Sequence, residues 1–321
     1  MTGQDRLPIR LGTRRSPLAR AQSEWVAEQL RQTGQLTVEL VEVTTEGDLN
    51  RAPLTTLGGT GVFVSALREA LVSDAVDVAV HSLKDLPTLP APGIRLAAVP
   101  VREDARDALI AGGRTLATLP TGAQVGTGSP RRAAQLRLAR PDLRVVDLRG
   151  NVDTRVRRVT DGDLDAVVLA VAGLNRLGRA DLIDEVLDPA TMLPAPGQGA
   201  LGVETREPAL PAADPRSLTL ESALRALDDP ATRAAVTAER AVLSALQVGC
   251  AAPVGALAVV DDPGSGEPEL TLQAFLAHGE GSATSRLSIT APADQAEAAG
   301  RQLAARLLDR AGAAVLGERA T

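Results

Sequence analysis

The stretch AQVGTGSPRRAAQLRLARPDLRVVDLRG, residues 123–150, decides the fold because it holds a strand, a helix and a second strand in immediate succession. Ser129 is a typical N-cap and Pro130 a typical first helical residue, so the segment SPRRAAQLRLA predicts a helix. The β-branched runs on either side predict strands, and strands joined by a helix pack as parallel neighbours. The stretch therefore predicts an α/β domain.

The same alternation precedes this stretch. LPIRLGT predicts a strand, and SPLARAQSEWVAEQLRQTG predicts a helix with Ser16 as its cap and Gly34 as its end. LTVELVEV, GVFVSALREALVSD and AVDVAVHSL continue as strand, helix and buried strand. A first α/β domain is therefore expected before the proline-rich segment PTLPAPG.

The pattern changes after the stretch. NVDTRVRRVTDG, DAVVLAV and AGLNRLGRADLI complete the second α/β unit, and LPAPGQGALGVETRE is interpreted as a crossing segment that returns the chain to the first. The last hundred residues predict strands between two helices, with a hairpin turn at residues 264–266. We expect domain 1 over residues 1–101 and 199–224, domain 2 over 102–198, and a small α+β domain 3 over 225–321.

Composition excludes several functions. A net charge of −6 and a pI of about 5.2 argue against a general nucleic-acid binder, and 1% aromatic residues argue against base stacking. The sequence shows no signal peptide and no apolar run long enough to span a bilayer, so a cytoplasmic protein without membrane partners is expected. One cysteine, Cys250, excludes an internal disulfide, and two histidines, His81 and His278, argue against a metal site.

Arginines recur at predicted helix starts, where the helix dipole favours acidic residues instead. Each one alone is most simply a solvated side chain. Three such helix starts together indicate a local site for a ligand with several negative groups, because helix amides and guanidinium groups bind carboxylate or phosphate. The residues concerned are Arg14, Arg15, Arg131, Arg132, Arg149 and Arg155.

Two glycine motifs do not indicate nucleotide binding. PGQGALG matches the dinucleotide pattern through Gly197, Gly199 and Gly202, but no strand precedes it and a strand-like segment follows, so NAD binding is rejected. Its glycines are expected to allow a sharp turn or a close backbone approach. GGTG, residues 58–61, lacks the lysine and hydroxyl of a phosphate-binding loop.

HSLKDLP, residues 81–87, ends a buried strand, where ligands bind in open α/β sheets. Asp85 is a candidate functional carboxylate there, although a salt bridge with Lys84 explains the same residues equally well.

Cys250 follows a predicted helix in a glycine-flanked loop and, taken alone, is more simply a small buried residue than a nucleophile.

Eight motifs, in this order and spacing, resemble those of the hydroxymethylbilane synthase, or porphobilinogen deaminase, family of tetrapyrrole biosynthesis. They are GTRRSPLA, HSLKDLP, REDARDA, VGTGSPRR, LRGNVDTR, AVAGLNRLG, LPAPGQGA and VGCAAPVG. The resemblance covers nearly the whole chain. It implies a transferase that joins four porphobilinogens head to tail with release of ammonia, two domains like a type II periplasmic binding protein, and a third domain that carries a dipyrromethane cofactor.

The resemblance also implies roles for individual residues. Asp85 matches the catalytic aspartate, which assists ammonia loss and stabilises the pyrrole cations, and Cys250 matches the cysteine that holds the cofactor through a thioether. Cofactor-binding positions are Ser82, Lys84, Asp85, Thr127, Ser129, Arg131, Arg132 and Arg149; substrate-binding positions are Arg14, Ser16, Arg149, Arg155 and Arg176. No metal is implied, and a monomer is expected.

The chain departs from the family pattern outside these residues. Thr56 and Thr60 stand where lysines are common, Gly128 where serine is common, Pro130 where an aliphatic residue is common, and Val248 where glycine is common. Activity is expected to be retained, with altered loop gating or elongation rates.

The alternative function is a noncatalytic binding or sensor protein for a small anion, which the first two domains alone would also suit.

Overall fold

The computed structural model describes residues 8–34, 36–44, 64–247, 252–261, 264, 266–278 and 283–318. Of the residues singled out above, Thr56, Thr60, Val248 and Cys250, together with the GGTG segment, lie outside this part of the chain.

The described strands and helices follow the predicted alternation. The strands are β1 (Ile9–Thr13), β2 (Val38–Glu42), β3 (Val78–Ser82), β4 (Ile94–Ala98), β5 (Asp107–Ile110), β6 (Gln124–Gly126), β7 (Arg144–Val146), β8 (Ala166–Ala170), β9 (Glu185–Leu187), β10 (Leu201–Arg206), β11 (Val254–Asp261), β12 (Glu269–His278) and β13 (Ala283–Pro292). The helices are α1 (Pro17–Gly34), α2 (Ser65–Val72), α3 (Pro130–Ala139), α4 (Val152–Thr160), α5 (Val171–Arg176), α6 (Ser217–Leu227), α7 (Pro230–Ala245) and α8 (Ala296–Glu318).

The first sheet has the order β2-β1-β3-β10-β4. β1 is parallel to β2 and β3, whereas β10 is antiparallel to β3 and β4. Its core contains Ile9, Leu11, Val80 and Val203, packed against α1 and α6. The segment after residue 200 therefore returns to this sheet, as predicted for a crossing segment.

The second sheet repeats that arrangement. Its order is β7-β6-β8-β5-β9, with β6 parallel to β7 and β8, and with β5 antiparallel to β8 and β9. In both sheets one antiparallel strand lies between the parallel strands and an edge strand. Because β1 is parallel to β3, their carboxyl ends lie side by side at the same end of the first sheet. The carboxyl ends of β6 and β8 lie side by side in the same way in the second sheet.

The third sheet is an antiparallel meander, β11-β12-β13, whose apolar face packs on α7 and α8. The α/β class with a small C-terminal α+β part is thus confirmed.

The chain divides into two compact units, residues 1–102 with 200–233 and residues 103–199 with 234–321. The boundaries of the three predicted domains remain a prediction. None of the described helices is long and apolar enough to cross a membrane.

Candidate active site

In the first unit, the carboxyl end of β3 presents Asp85. The strand ends at Ser82 and continues into a single 3₁₀ turn, Leu83–Asp85. The buried Leu83 anchors this turn, since its backbone N–H donates to Ala200 O over 3.0 Å and its own carbonyl accepts from Leu86 N over 3.1 Å. The side chain of Asp85 is left exposed on an anchored turn, with Lys84 half-buried beside it.

Ser82 is fixed by a residue that no sequence pattern singled out. Its Oγ lies 2.9 Å from Nε2 and 3.1 Å from Oε1 of Gln22, a buried side chain of α1. The hydroxyl can therefore accept from, or donate to, the same amide. Helix α1 thereby sets the side-chain position of a predicted cofactor-binding residue.

The start of α1 has the predicted cap. Ser16 Oγ accepts a hydrogen bond from Ala19 N over 3.3 Å, and Ser16 O accepts from Arg20 N over 3.0 Å. Arg14, which follows β1, is half-buried. Arg15 instead points to the surface, with Nε 3.7 Å from Glu42 Oε2, so it fits the simpler interpretation of a solvated side chain.

A buried ion-pair network lies on the other face of β3, because successive residues of a strand point to opposite faces. Glu204 of β10 accepts two hydrogen bonds from Arg68, at 3.0 and 2.7 Å, and its Oε2 lies 3.3 Å from His81 Nε2. Burial raises the pKa of this carboxyl, but His81 and Arg68 outweigh burial and lower it to about 2. Glu204 is therefore ionised at any physiological pH.

In the second unit, the start of α3 has the geometry that the sequence predicts. Ser129 Oγ accepts from Arg132 N over 3.4 Å, and Pro130 is the first helical residue. Thr127, which is buried, accepts from Ser129 N through Oγ1 over 3.2 Å. The loop before the helix is thus held by its own hydroxyl groups.

Arg131 and Arg132 are buried and share one carboxylate. Arg131 Nη2 lies 2.8 Å from Asp107 Oδ2, while Arg132 reaches Asp107 Oδ1 through Nη2 at 2.7 Å and Nε at 3.1 Å. Burial raises the pKa of Asp107, and the two guanidinium groups outweigh it and hold that pKa at about 2. The anion expected beside these arginines is therefore, in part, a residue of the chain itself.

Two guanidinium groups against one carboxylate leave this trio with one net positive charge. Moreover, Arg131 Nε is buried and has no hydrogen-bond acceptor among the described residues. Burial lowers the pKa of Arg131, which is the expected sign for a cation that is incompletely compensated. The site therefore still favours a further negative group.

Other predicted arginines extend this positive region. Arg155 is half-buried and donates through Nε to Gly150 O over 2.8 Å. Its pKa is lowered by burial and by the positive charges of Arg132 and Arg149, so these three cations lie within electrostatic reach of one another. Arg149 itself is exposed, with Nε 3.4 Å from Asp147 Oδ2.

Arg176 has a different contact from the other arginines. It is half-buried and donates through Nη2 to Gly199 O over 2.6 Å. Burial lowers the pKa of Arg176, and the charge of Glu103 partly opposes this shift. This arginine is therefore tied to the crossing segment rather than to Asp107.

The PGQGALG segment has the conformation expected from its glycines. Gly197 and Gly199 have φ of +74° and +86°, and β10 follows where a dinucleotide-binding motif needs a helix. A Cβ at Gly199 would overlap the carbonyl oxygen of Glu103. The rejection of NAD binding stands, and the close backbone approach is confirmed.

The fold and the side chains described above define an α/β protein whose first unit carries a strand-end carboxylate and whose second unit carries two buried arginines that, with Asp107, keep one net positive charge. The family described as "Porphobilinogen deaminase, dipyromethane cofactor binding domain" matches residues 9–212, and "Porphobilinogen deaminase, C-terminal domain" matches residues 233–309. The chain belongs to the porphobilinogen deaminase family.

Relatives support this over most of the chain. "Porphobilinogen deaminase 1" of Streptomyces coelicolor is 52% identical over 321 residues, covering 97% of this chain and 98% of the relative. "Porphobilinogen deaminase" of Leifsonia xyli is 57% identical over 256 residues, covering 79% of this chain and 76% of the relative. A solved periplasmic substrate-binding protein from Coxiella burnetii is similar with a TM-score of 0.42 and 18% identity, covering 68% of this chain and 92% of that one.

Family membership confirms the transferase activity of a hydroxymethylbilane synthase and the dipyrromethane cofactor that the resemblance implied. The predicted site residues fall into two groups. Arg14, Ser16, Ser82, Lys84 and Asp85 lie in the first unit, and Thr127, Ser129, Arg131, Arg132, Arg149, Arg155 and Arg176 in the second. Sequence reasoning missed Gln22, Asp107 and Gln198.

Proposed function

We propose that the chain joins four porphobilinogen molecules to linear hydroxymethylbilane with the residues named above, Asp85 acting as the catalytic residue. The observation that carries the assignment of the binding residues is the arginine pair of α3. Together with Asp107 the pair keeps one net positive charge, and Arg131 Nε is buried without an acceptor among the described residues, which suits a resident ligand that bears carboxylates.

The dipyrromethane cofactor fits this site by the chemistry of its donors. Its acetate and propionate groups are the kind of anion that Arg131, Arg132 and Arg149 would bind, and Ser129 and Thr127 would add hydrogen bonds. Cys250 would hold the cofactor through a thioether. When bound, the cofactor supplies the terminal pyrrole carbon that accepts the first substrate.

Substrate carboxylates would be bound by Arg14, Arg155 and Arg176, with Ser16 at the start of α1. Each condensation forms one carbon–carbon bond and releases one ammonia, and the pyrrole carbon that forms the bond loses its proton. Asp85, exposed on its anchored turn, would transfer a proton to the departing amine and would take up the proton that the pyrrole carbon loses. In its ionised form it would stabilise the pyrrole cations electrostatically. Ser82 and Lys84 would orient the ring beside it.

We also propose that the enzyme has the three domains expected from the sequence and acts as a cytoplasmic monomer, without nucleic-acid or membrane partners. The net charge of −6 supports the absence of nucleic acid. Thr56 and Thr60 are proposed to weaken electrostatic help to the growing chain and so to alter elongation rates.

Two variants test the proposal. Asp85→Asn is expected to keep the fold and the cofactor but to lose at least about 100-fold in kcat, as is typical when general acid–base catalysis is removed. Cys250→Ser is expected to lack the dipyrromethane-sized excess mass that the wild type carries in intact-mass spectrometry. Near-normal turnover of Asp85→Asn would remove Asp85 from the mechanism.

The intact mass also separates the enzyme from a noncatalytic anion sensor. A sensor would have no covalent group and would bind porphobilinogen reversibly. A wild-type protein without excess mass, inactive even after incubation with porphobilinogen, would contradict the proposed function.

A further inference from the structure

The glycine-rich crossing segment holds a buried amide against the carboxylate that the two arginines share. Gln198 is 1% exposed, and its Nε2 donates to Asp107 Oδ1 over 2.9 Å and to Ala105 O over 2.7 Å. Asp107 is itself fully buried at the start of β5. Gln198 therefore helps to fix the position of the Asp107 carboxylate, beside the contacts of that carboxylate with Arg131 and Arg132.

The backbone of this segment has little freedom to move. The left-handed conformations of Gly197 and Gly199 are open to glycine at no steric cost. Gly197 N donates to the buried Glu239 Oε2 over 2.6 Å, and the space around Gly199 admits no side chain. The amide of Gln198 is thus presented to Asp107 from a rigid support.

Asp107 in turn orients both arginines. Arg132 is held at two nitrogens by Asp107 Oδ1 and at Nη1 by Val168 O over 2.9 Å, while Arg131 reaches Asp107 Oδ2 and also Leu193 O over 2.5 Å. These contacts fix the direction of each guanidinium group. The net charge of Asp107, Arg131 and Arg132 stays at one positive charge, because the amide of Gln198 is neutral. It stabilises the Asp107 carboxylate without cancelling that charge.

We infer that Asp107 and Gln198 are positioning residues for the arginine pair: together they fix both guanidinium groups and leave one net positive charge for a carboxylate of the resident cofactor. The inference rests on the proposed function, in which Arg131 and Arg132 bind that cofactor. It assigns to Gln198 a role that requires a neutral side chain able to donate a hydrogen bond. Neither a carboxylate nor an apolar side chain of the same length meets both conditions.

Two substitutions separate these conditions. Gln198→Glu keeps the length of the side chain but adds a charge that cancels the excess positive charge, whereas Gln198→Met keeps the volume and removes the donor. Thr232→Val is the control, since Thr232 is also buried, but its Oγ1 accepts a hydrogen bond from Arg102 N over 3.1 Å and not from a group at Asp107. This change removes a buried hydrogen-bonding group and keeps the volume of the side chain.

Cofactor-free protein is incubated with porphobilinogen, and intact-mass spectrometry measures the rate at which it gains the mass of the dipyrromethane. Thermal unfolding of each variant is measured in parallel. We expect Gln198→Glu to slow this gain at least tenfold and Gln198→Met to slow it severalfold. Thr232→Val should also lose thermal stability, but it should gain mass at a rate close to that of the wild type.

The inference is overturned if Gln198→Glu gains mass at the wild-type rate, or if Thr232→Val is slowed as much as Gln198→Met. If Gln198→Glu does not fold, the comparison of Gln198→Met with Thr232→Val decides. A failure of the proposed function is distinct, because the wild type itself would then gain no mass.

Discussion

Replacing Glu204 by glutamine should lower the free energy of unfolding at neutral pH. The contacts of the Glu204 carboxylate with Arg68 and His81 determine the size of this loss. The substitution keeps the shape of the side chain but removes the charge that Arg68 and His81 share. The pKa of Glu204 falls from 4.5 to about 2 on folding. Because one pKa unit corresponds to about 1.4 kcal/mol, the ionised carboxylate contributes about 3 kcal/mol at pH 7.

The pH dependence of this loss has a definite sign. A carboxyl group whose pKa is lowered on folding stabilises the protein above its unfolded pKa, here 4.5, and that contribution disappears as the pH falls through about 2. Linkage gives a decrease of about 1 kcal/mol at pH 4 and about 2 kcal/mol at pH 3. The difference between wild type and Glu204→Gln should therefore shrink by these amounts, whereas it should stay constant between pH 6 and 7.

Urea unfolding at pH 7, 5, 4 and 3, followed by circular dichroism, measures this difference. Glu42→Gln is the control: Glu42 is 40% exposed and pairs with the exposed Arg20, so its loss should be below about 1 kcal/mol at every pH. A loss for Glu204→Gln below about 1 kcal/mol at pH 7 would refute the reasoning, and so would a loss that is the same at pH 7 and pH 3.

Four other substitutions, one of them a control, test three separate features. Gly199→Ala should lower the free energy of unfolding by at least about 3 kcal/mol, and Gly113→Ala by only about 1 kcal/mol, because both glycines have φ of +86° but open space surrounds Gly113. Equal losses would show that backbone strain, not overlap, dominates. Gly128→Ser, which restores the residue common in the family, should cost roughly 1 to 3 kcal/mol because its Cβ would lie 2.7 Å from Leu148 O; unchanged thermal unfolding would contradict this. Arg149→Leu should change stability by less than about 0.5 kcal/mol, since its contact is exposed, yet it should accumulate incomplete enzyme-bound chains detectable by mass; complete chains at the wild-type rate would exclude its role.

Local patterns in the sequence predicted the features that depend on neighbouring residues. Capping chemistry located the starts of α1 and α3, because Ser16 and Ser129 satisfy backbone N–H groups within a few residues of themselves. The strand-end turn at Asp85 and the non-helical continuation of the glycine motif were predictable for the same reason.

Short buried elements were not predictable in this way. Strand β5 has four residues, all buried, and β9 has three, so neither gives a period that distinguishes a strand from a loop. Helix α6 and the contact of Gln22 with Ser82 were also missed, because they depend on packing between distant segments.

The arginine pair shows the same limit within the site. Sequence reasoning correctly expected an anion near Arg131 and Arg132, since two cations at a helix start are unfavourable alone. It assigned the anion to a ligand, although Asp107 lies 24 residues before Arg131 and meets it only through the pairing of β5 with β8. Asp107 neutralises one of the two positive charges, so the arginine pair has one positive charge left for a ligand.

The insertion of β10 into the first sheet has a consequence for synthesis on the ribosome. All five strands of the second sheet have been made once residue 187 is joined, but the first sheet lacks its fourth strand until residue 206. At about 5 to 20 residues per second, this gap of 19 residues lasts about one to four seconds. The middle of the nascent chain should therefore become protease-resistant before its beginning, which reverses the usual order in which the N-terminal part folds first. Limited proteolysis of ribosome-bound chains stalled on either side of β10 would reveal that order, and early resistance of residues 8–102 would exclude it.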